Sequence, residues 1–179
     1  MTKTTIITAL PIGEIDTDVI RNEFESIIRV LNGLGIAPLV ADPVSDVESA
    51  RQSVQELSKK NPDLLLLIPL RGLSAQIIET AVFTSHSPCL ICPVQGRFAL
   101  PSSALAVGAL QESMIPVELL YAPPNHPDFI KRLHCITRTA RAFSQIQRSR
   151  IGVIGGLFPN LISCRYDRSF RHFRLFSRN

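Results

Sequence analysis

Residues 61–70 read Asn61-Pro-Asp-Leu-Leu-Leu-Leu-Ile-Pro-Leu70, and this stretch decides the fold. A strand with one face in water alternates apolar and polar residues. A run without a polar position from Leu64 to Leu70 is instead the pattern of a strand covered on both faces, as in the middle of a parallel sheet with helices packed above and below it. The run is far short of the ~20 apolar residues that cross a bilayer, and Asn61-Pro62 ahead of it marks where a preceding helix must stop.

Working upstream, Ser45-Asp-Val-Glu48 has capping-box spacing, with Val47, Ala50, Val54 and Leu57 as the buried stripe of the helix it opens and Lys59-Lys60 at its negative end. Ile36 to Val40 predicts a strand. Before it, Ile20, Phe24, Ile27, Ile28 and Leu31 recur at helical spacing, ended by Gly33 and Gly35. Thr4 to Leu10 predicts the first strand. It lacks the long apolar core and small-residue cleavage site of a signal peptide.

Downstream, the pattern continues with a helix over about Ser74 to Phe83, a strand from Pro88 to Cys92 and a helix from Pro101 to Met114. In the last, Ala104, Ala106, Gly108 and Ala109 suit close approach to the sheet. Val117 to Tyr121 is a fifth strand. The longest helix opens at Pro127 and runs to Arg148, with Ile130, Leu133, Ile136 or Thr137, Ala140 and Phe143 inward. Arg150 to Ile154 is a sixth strand, ending in Gly155-Gly156. The expected architecture is α/β: a three-layer, doubly wound, mainly parallel six-stranded sheet of Rossmann-like or flavodoxin-like type. Residues 1–158 form its domain, and 159–179 form a basic Arg/Phe tail or the truncated start of a second domain.

The composition, 45% hydrophobic and 19% charged, belongs to the soluble globular class and excludes disordered and collagen-like chains. The absence of a leader or a membrane-length apolar run makes a cytoplasmic location the expectation. Four cysteines are too few for a disulfide framework and are expected to be reduced. The net charge of +4 conceals two opposite balances. Residues 1–130 carry 8 Lys/Arg against 14 Asp/Glu, net −6, whereas residues 131–179 carry 11 against 1, net +10.

In an open parallel sheet, ligands collect beyond the carboxyl ends of the strands. The loops to inspect are therefore Pro11 to Asp18, Arg71-Gly72, Pro93 to Leu100 and Gly155 to Asn160. Within the first, Glu14, Asp16 and Asp18 could hold a cation or sugar hydroxyls, or could simply cap a helix. Gln95-Gly96-Arg97 pairs an approachable backbone with an amide and a guanidinium suited to hydroxyls or carboxylates; a solvated loop reads equally well. Gly155 and Gly156 are either a ligand approach or a tight turn. Their spacing with Gly152 does not fit a dinucleotide fingerprint, and no Lys-Ser/Thr follows to make a phosphate loop. Cys89 and Cys92, three apart on a strand, point to opposite faces and cannot share a metal. Arg165, Arg168, Arg171, Arg174 and Arg178 interleave with Phe170, Phe173 and Phe176 in the manner of a nucleic-acid or membrane-surface segment, but the abrupt loss of periodicity there favours a chain end over nucleic-acid binding.

The order of elements, the segment Phe98-Ala-Leu-Pro-Ser-Ser-Ala-Leu-Ala-Val-Gly-Ala-Leu110, the long Arg-containing helix, and Arg150-Ile-Gly-Val-Ile-Gly-Gly156 running toward Tyr166-Asp167 resemble the N-terminal domain of the L-fucose/L-arabinose isomerase family over about residues 4–167. That resemblance implies a place in carbohydrate metabolism, in oligomeric enzymes that interconvert aldoses and ketoses with a divalent metal, commonly Mn2+. It also implies that the metal ligands and acid/base carboxylates lie in segments beyond this domain. The chain is then expected to bind no cofactor, to supply no catalytic residue, and to act as a substrate-proximal or assembly domain that self-associates, with a stand-alone sugar-binding module as the alternative. The residues placed near substrate are Pro11, Ile12, Gly13 and Glu14, with Gln95, Gly96, Arg97, Gly155 and Gly156 completing the candidate set.

Overall fold

A computed structural model describes residues 5–149 apart from residue 97. The chain divides into two compact units, 1–148 and 149–179, and all the elements described belong to the first. The sixth strand, the 158/159 boundary, Gly155, Gly156 and the Arg/Phe tail lie outside the described residues.

The Leu64–Pro69 run is the central strand. It forms β3 of a five-stranded parallel sheet ordered β2-β1-β3-β4-β5, with β1 at Ile7–Ile12, β2 at Leu39–Val40, β4 at Cys89–Ile91 and β5 at Val117–Leu119. Every residue of β1 and β3 is buried, the signature of a strand sandwiched between helix layers. Alternate side chains feed two cores. Ile7, Ala9, Leu64, Leu66, Ile68, Leu90 and Cys92 face α1 (Asp18–Gly33) and α5 (Pro127–Arg148). Leu10, Ile12, Leu65, Leu67, Cys89 and Ile91 face α2 (Val47–Ser58), α3 (Ala75–Thr84) and α4 (Ala99–Glu112). Cys89 and Cys92 thus occupy opposite layers, both buried.

Several boundaries differ from expectation for physical reasons. Pro11 does not end the first strand: it stays in register with Ile68, and its carbonyl accepts the Val44 N–H at 3.0 Å, so the missing donor breaks no required bond. β2 shrinks to two exposed residues at the sheet edge. The α2 box is shifted by one residue. Asp46, not Ser45, accepts the N–H groups of Glu48 and Ser49, both at 2.9 Å, and the Ser49 hydroxyl answers. A carboxylate is the stronger acceptor for two donors. In α4 only part of the small-residue set meets the core: Ala106 is buried, while Ala104 and Gly108 are exposed. Among the described residues, no helix is long and apolar enough to cross a membrane.

α5 is anchored at the opposite end of the sheet from the candidate ligand loops. Arg148 donates to Asp63 Oδ1 at 3.1 Å and to the carbonyls of Asn61 and Pro62 at 2.7 and 2.8 Å. Asp63, only 5% exposed, also accepts the Ile6 N–H at 3.0 Å, and the Ser144 hydroxyl donates to its carbonyl at 3.2 Å. This network ties β1, β3 and the last turn of α5 at the amino edge.

Candidate functional site at the carboxyl edge

Strand order reverses between β1 and β3, since β2 lies to one side of β1 and the rest of the sheet to the other. Successive connections diverge there and leave a crevice beyond the strand ends. Its floor is tied by the Leu70 N–H donating to the Ile12 carbonyl (2.8 Å) and the Gly13 N–H donating to the Val44 carbonyl (2.8 Å). Gly13 sits at φ +108°, and a Cβ built there would stand 3.1 Å from Cγ of Arg71 and 3.5 Å from its Cδ and Nε. The glycine therefore does two things: it takes a backbone angle that L side chains rarely adopt, and it leaves a groove in which the Arg71 stem lies. Among the described residues no carboxylate pairs with the Arg71 guanidinium.

On the far side of the crevice, the loops after β3 and β4 are joined by serines. Ser102 Oγ accepts the Ser74 N–H at 2.9 Å, and Ser74 Oγ stands 3.2 Å from both Ser102 Oγ and the Arg71 carbonyl. The β4 loop is held twice more. Val94 N–H donates to the Pro69 carbonyl (3.0 Å), and Gln95 N–H donates to Glu23 Oε1 at 2.6 Å. Burial pushes the Glu23 carboxyl above its ordinary value, outweighing the Gln95 bond that favours the charged form. Beneath it, burial first and the Glu23 charge second push the Cys92 thiol up to about 12, so this cysteine is an inert core residue and not a nucleophile.

Backbone strain is concentrated here. Leu73 (φ +61°) and Phe98 (φ +58°) are left-handed, and both are open to solvent, at 100% and 80%. The other two non-glycine residues with positive φ, Asn61 and Met114, follow the ends of α2 and α4, where such turns are routine. Ser74 and Phe98 also stand at the N-cap positions of α3 and α4 without providing a side-chain cap, unlike Thr17 and Asp46 at α1 and α2.

The expected site residues divide accordingly. Pro11, Ile12 and Gly13 are buried at the end of β1, so the two side chains serve the core and the loop offers a ligand chiefly backbone. Glu14, Gln95 and Gly96 are exposed on the loops beyond β1 and β4. Arg97 lies outside the described residues, as do Gly155 and Gly156. The acids of the first loop do not converge on a cation: Thr17 caps α1, Asp18 pairs with Arg21 at 3.6 Å, and no group of three metal-ligating side chains exists among the described residues. His126 is a capping residue, its Nδ1 accepting the Asp128 N–H at 3.3 Å. Sequence reasoning missed Glu23, Leu73, Ser74 and Ser102. Glu23 alone left a trace, as an acid within the Ile20, Phe24, Ile27 stripe. An open hollow of about 370 Å3 lined by Leu34, Pro127, Ile130, Lys131 and His134 shares none of these loops.

No family model matches the chain, and no curated protein does. Solved structures that resemble it include Treponema denticola PurE (17% identity, 79% of this chain and 88% of that one, TM-score 0.43) and a Ser-to-Asp variant of Treponema denticola PurE2 (16% identity, 80% and 89%, TM-score 0.46). At these values the likeness carries no argument about activity. The findings nevertheless correct the sugar-isomerase assignment: the matched structures are PurE proteins, and neither carbohydrate metabolism nor a sugar ligand, including the stand-alone sugar-binding module, has support. The physical reason is plain in the segments that suggested it. Ala99–Leu110 is a generic small-residue, apolar helix whose inward positions, Ala99, Ser103, Ala106, Val107 and Leu110, are what any helix on a parallel sheet requires. The Arg150–Gly156 segment lies outside the described residues.

Proposed function

We propose that the unit is a binding domain for a small molecule carrying an anionic group, held in the β1/β3 crevice and met there by Arg71. The observation behind this reading is the Arg71 side chain laid along Gly13 at the switch point, a cation whose stem is positioned by packing and whose head has no carboxylate partner among the described residues. A guanidinium offers a fork of donors that fits carboxylate or phosphate oxygens. Glu14, Gln95 and Gly96 would contribute polar contacts from either side, and the Glu23–Gln95 and Ser74–Ser102 bonds keep those loops in place. No resident metal or cofactor is part of the proposal. A cytoplasmic location suits the buried thiols at Cys89 and Cys92. Self-association of the full chain belongs to the same proposal, with sedimentation as its measurement.

The test is thermal stabilisation by inorganic phosphate and acetate, since a ligand that binds only the native state raises apparent stability. Arg71→Met keeps the stem against Gly13 and removes the charge. It should abolish anion stabilisation while changing intrinsic stability by no more than about 0.5 kcal/mol, as for an exposed substitution. Unchanged stabilisation in Arg71→Met would overturn the reading.

A further inference from the structure

Leu73 and Phe98 hold strained backbone while their side chains are almost fully exposed. A left-handed backbone is disfavoured for any residue with a Cβ, and glycine or asparagine would occupy these turns with less strain. Phe98 also holds a helix N-cap position, where serine, threonine or aspartate would satisfy an N–H that phenylalanine leaves without a side-chain partner. Neither side chain offsets the loss through packing, because both stand in solvent. Leu73 immediately precedes Ser74 and Phe98 lies one turn before Ser102, its carbonyl accepting the Ser102 N–H at 3.3 Å, so the Ser74–Ser102 bond joins the two segments that carry them at the carboxyl edge of the sheet. Arg71 is two residues from Leu73 on the same loop. Strain kept at exposed apolar residues near a cation is a feature that clusters at ligand sites.

We infer that Leu73 and Phe98 are the apolar jaws of this site and that its ligand is an aryl anion, a planar ring bearing a phosphate or carboxylate. This rests on the anion-binding reading of Arg71 and adds the ring. The guanidinium takes the charged end, and the leucine and phenylalanine cover the ring, the phenylalanine by stacking or edge contact.

Phenyl phosphate and inorganic phosphate separate the two claims by isothermal titration on the full chain. Phenyl phosphate should bind about tenfold more tightly, the gain expected from removing some 60 Å2 of ring surface from water. Leu73→Gly and Phe98→Gly, which relax the backbone and so do not endanger folding, should each reduce that ratio toward one and leave inorganic phosphate affinity unchanged. Phe98→Tyr should retain it. Equal affinities for the two phosphates, both dependent on Arg71, would overturn the jaws and leave the anion site standing. Binding of neither phosphate would overturn both. A ratio unmoved by the glycine variants, together with a change in sedimentation, would assign Leu73 and Phe98 to a contact between copies and overturn the inference.

Discussion

The two ends of the sheet are built to different rules. At the amino edge, Asp63 engages Ile6, Ser144 and Arg148, and Arg148 directs its remaining donors to the carbonyls of Asn61 and Pro62. Asp63 and Arg148 each have several partners within the chain. At the carboxyl edge, Arg71 has no paired carboxylate among the described residues, two helices begin without side-chain caps, and two bulky residues hold left-handed angles in solvent. One edge resolves its polar and conformational demands internally; the other leaves several of them unmet among the described residues. A fold that concentrates satisfaction at one end can carry strain at the other without losing its register.

The contrast breaks most visibly at Asp63. Asp63→Ala leaves the exposed Arg148 guanidinium without its counter-charge and the Ile6 N–H without its acceptor, and removing a buried acceptor from such a network typically costs about 2 kcal/mol. Urea unfolding should register a loss of that order, while phosphate affinity at the opposite edge stays as in the parent. A change of affinity comparable to the Arg71→Met effect would mean that the two edges are not independent.

A smaller change concerns Thr8, fully buried in β1 on the face shared with Leu10 and Ile12, whose Oγ1 has no hydrogen-bond partner among the described residues. Thr8→Val replaces the hydroxyl with a methyl of similar shape. It should raise stability by about 1 kcal/mol, read as a higher urea midpoint with an unchanged slope.

How much of the molecule was legible in the sequence depends on the kind of interaction involved. The apolar run at Leu64–Pro69 and the period of Pro127–Arg148 were readable because burial on both faces, or on one stripe, dictates residue type position by position. The α2 cap was off by one because Ser45, Asp46 and Ser49 are all competent polar residues, and only the backbone geometry selects the acceptor. Topology located the crevice and the Arg71-Gly72 loop, but not the serines that tie it. Ser74 and Ser102 are joined by a bond across 28 residues of chain, a separation no local pattern reports. Leu73 and Phe98 read as ordinary apolar residues until their backbone angles are known. The family resemblance failed for the converse reason: it rested on features that every parallel α/β unit shares.

The finest distinction between the edges is electrostatic and lies at Glu23. Burial raises its pKa in the folded chain, with the Gln95 bond only partly offsetting the shift. Between the unfolded and folded pKa values the native state therefore binds more protons than the unfolded state, and stability falls as pH rises through that window. The contribution is complete below the ordinary glutamate range and lost once pH exceeds the raised value. Glu23→Gln keeps an oxygen to accept the Gln95 N–H and removes the ionisation. The stability of Glu23→Gln relative to the parent should therefore increase with pH from about 4 upward and then level off. A flat difference for Glu23→Gln would mean that water solvates the carboxylate beneath the β4 loop, and that this side of the crevice is held by the loop backbone alone.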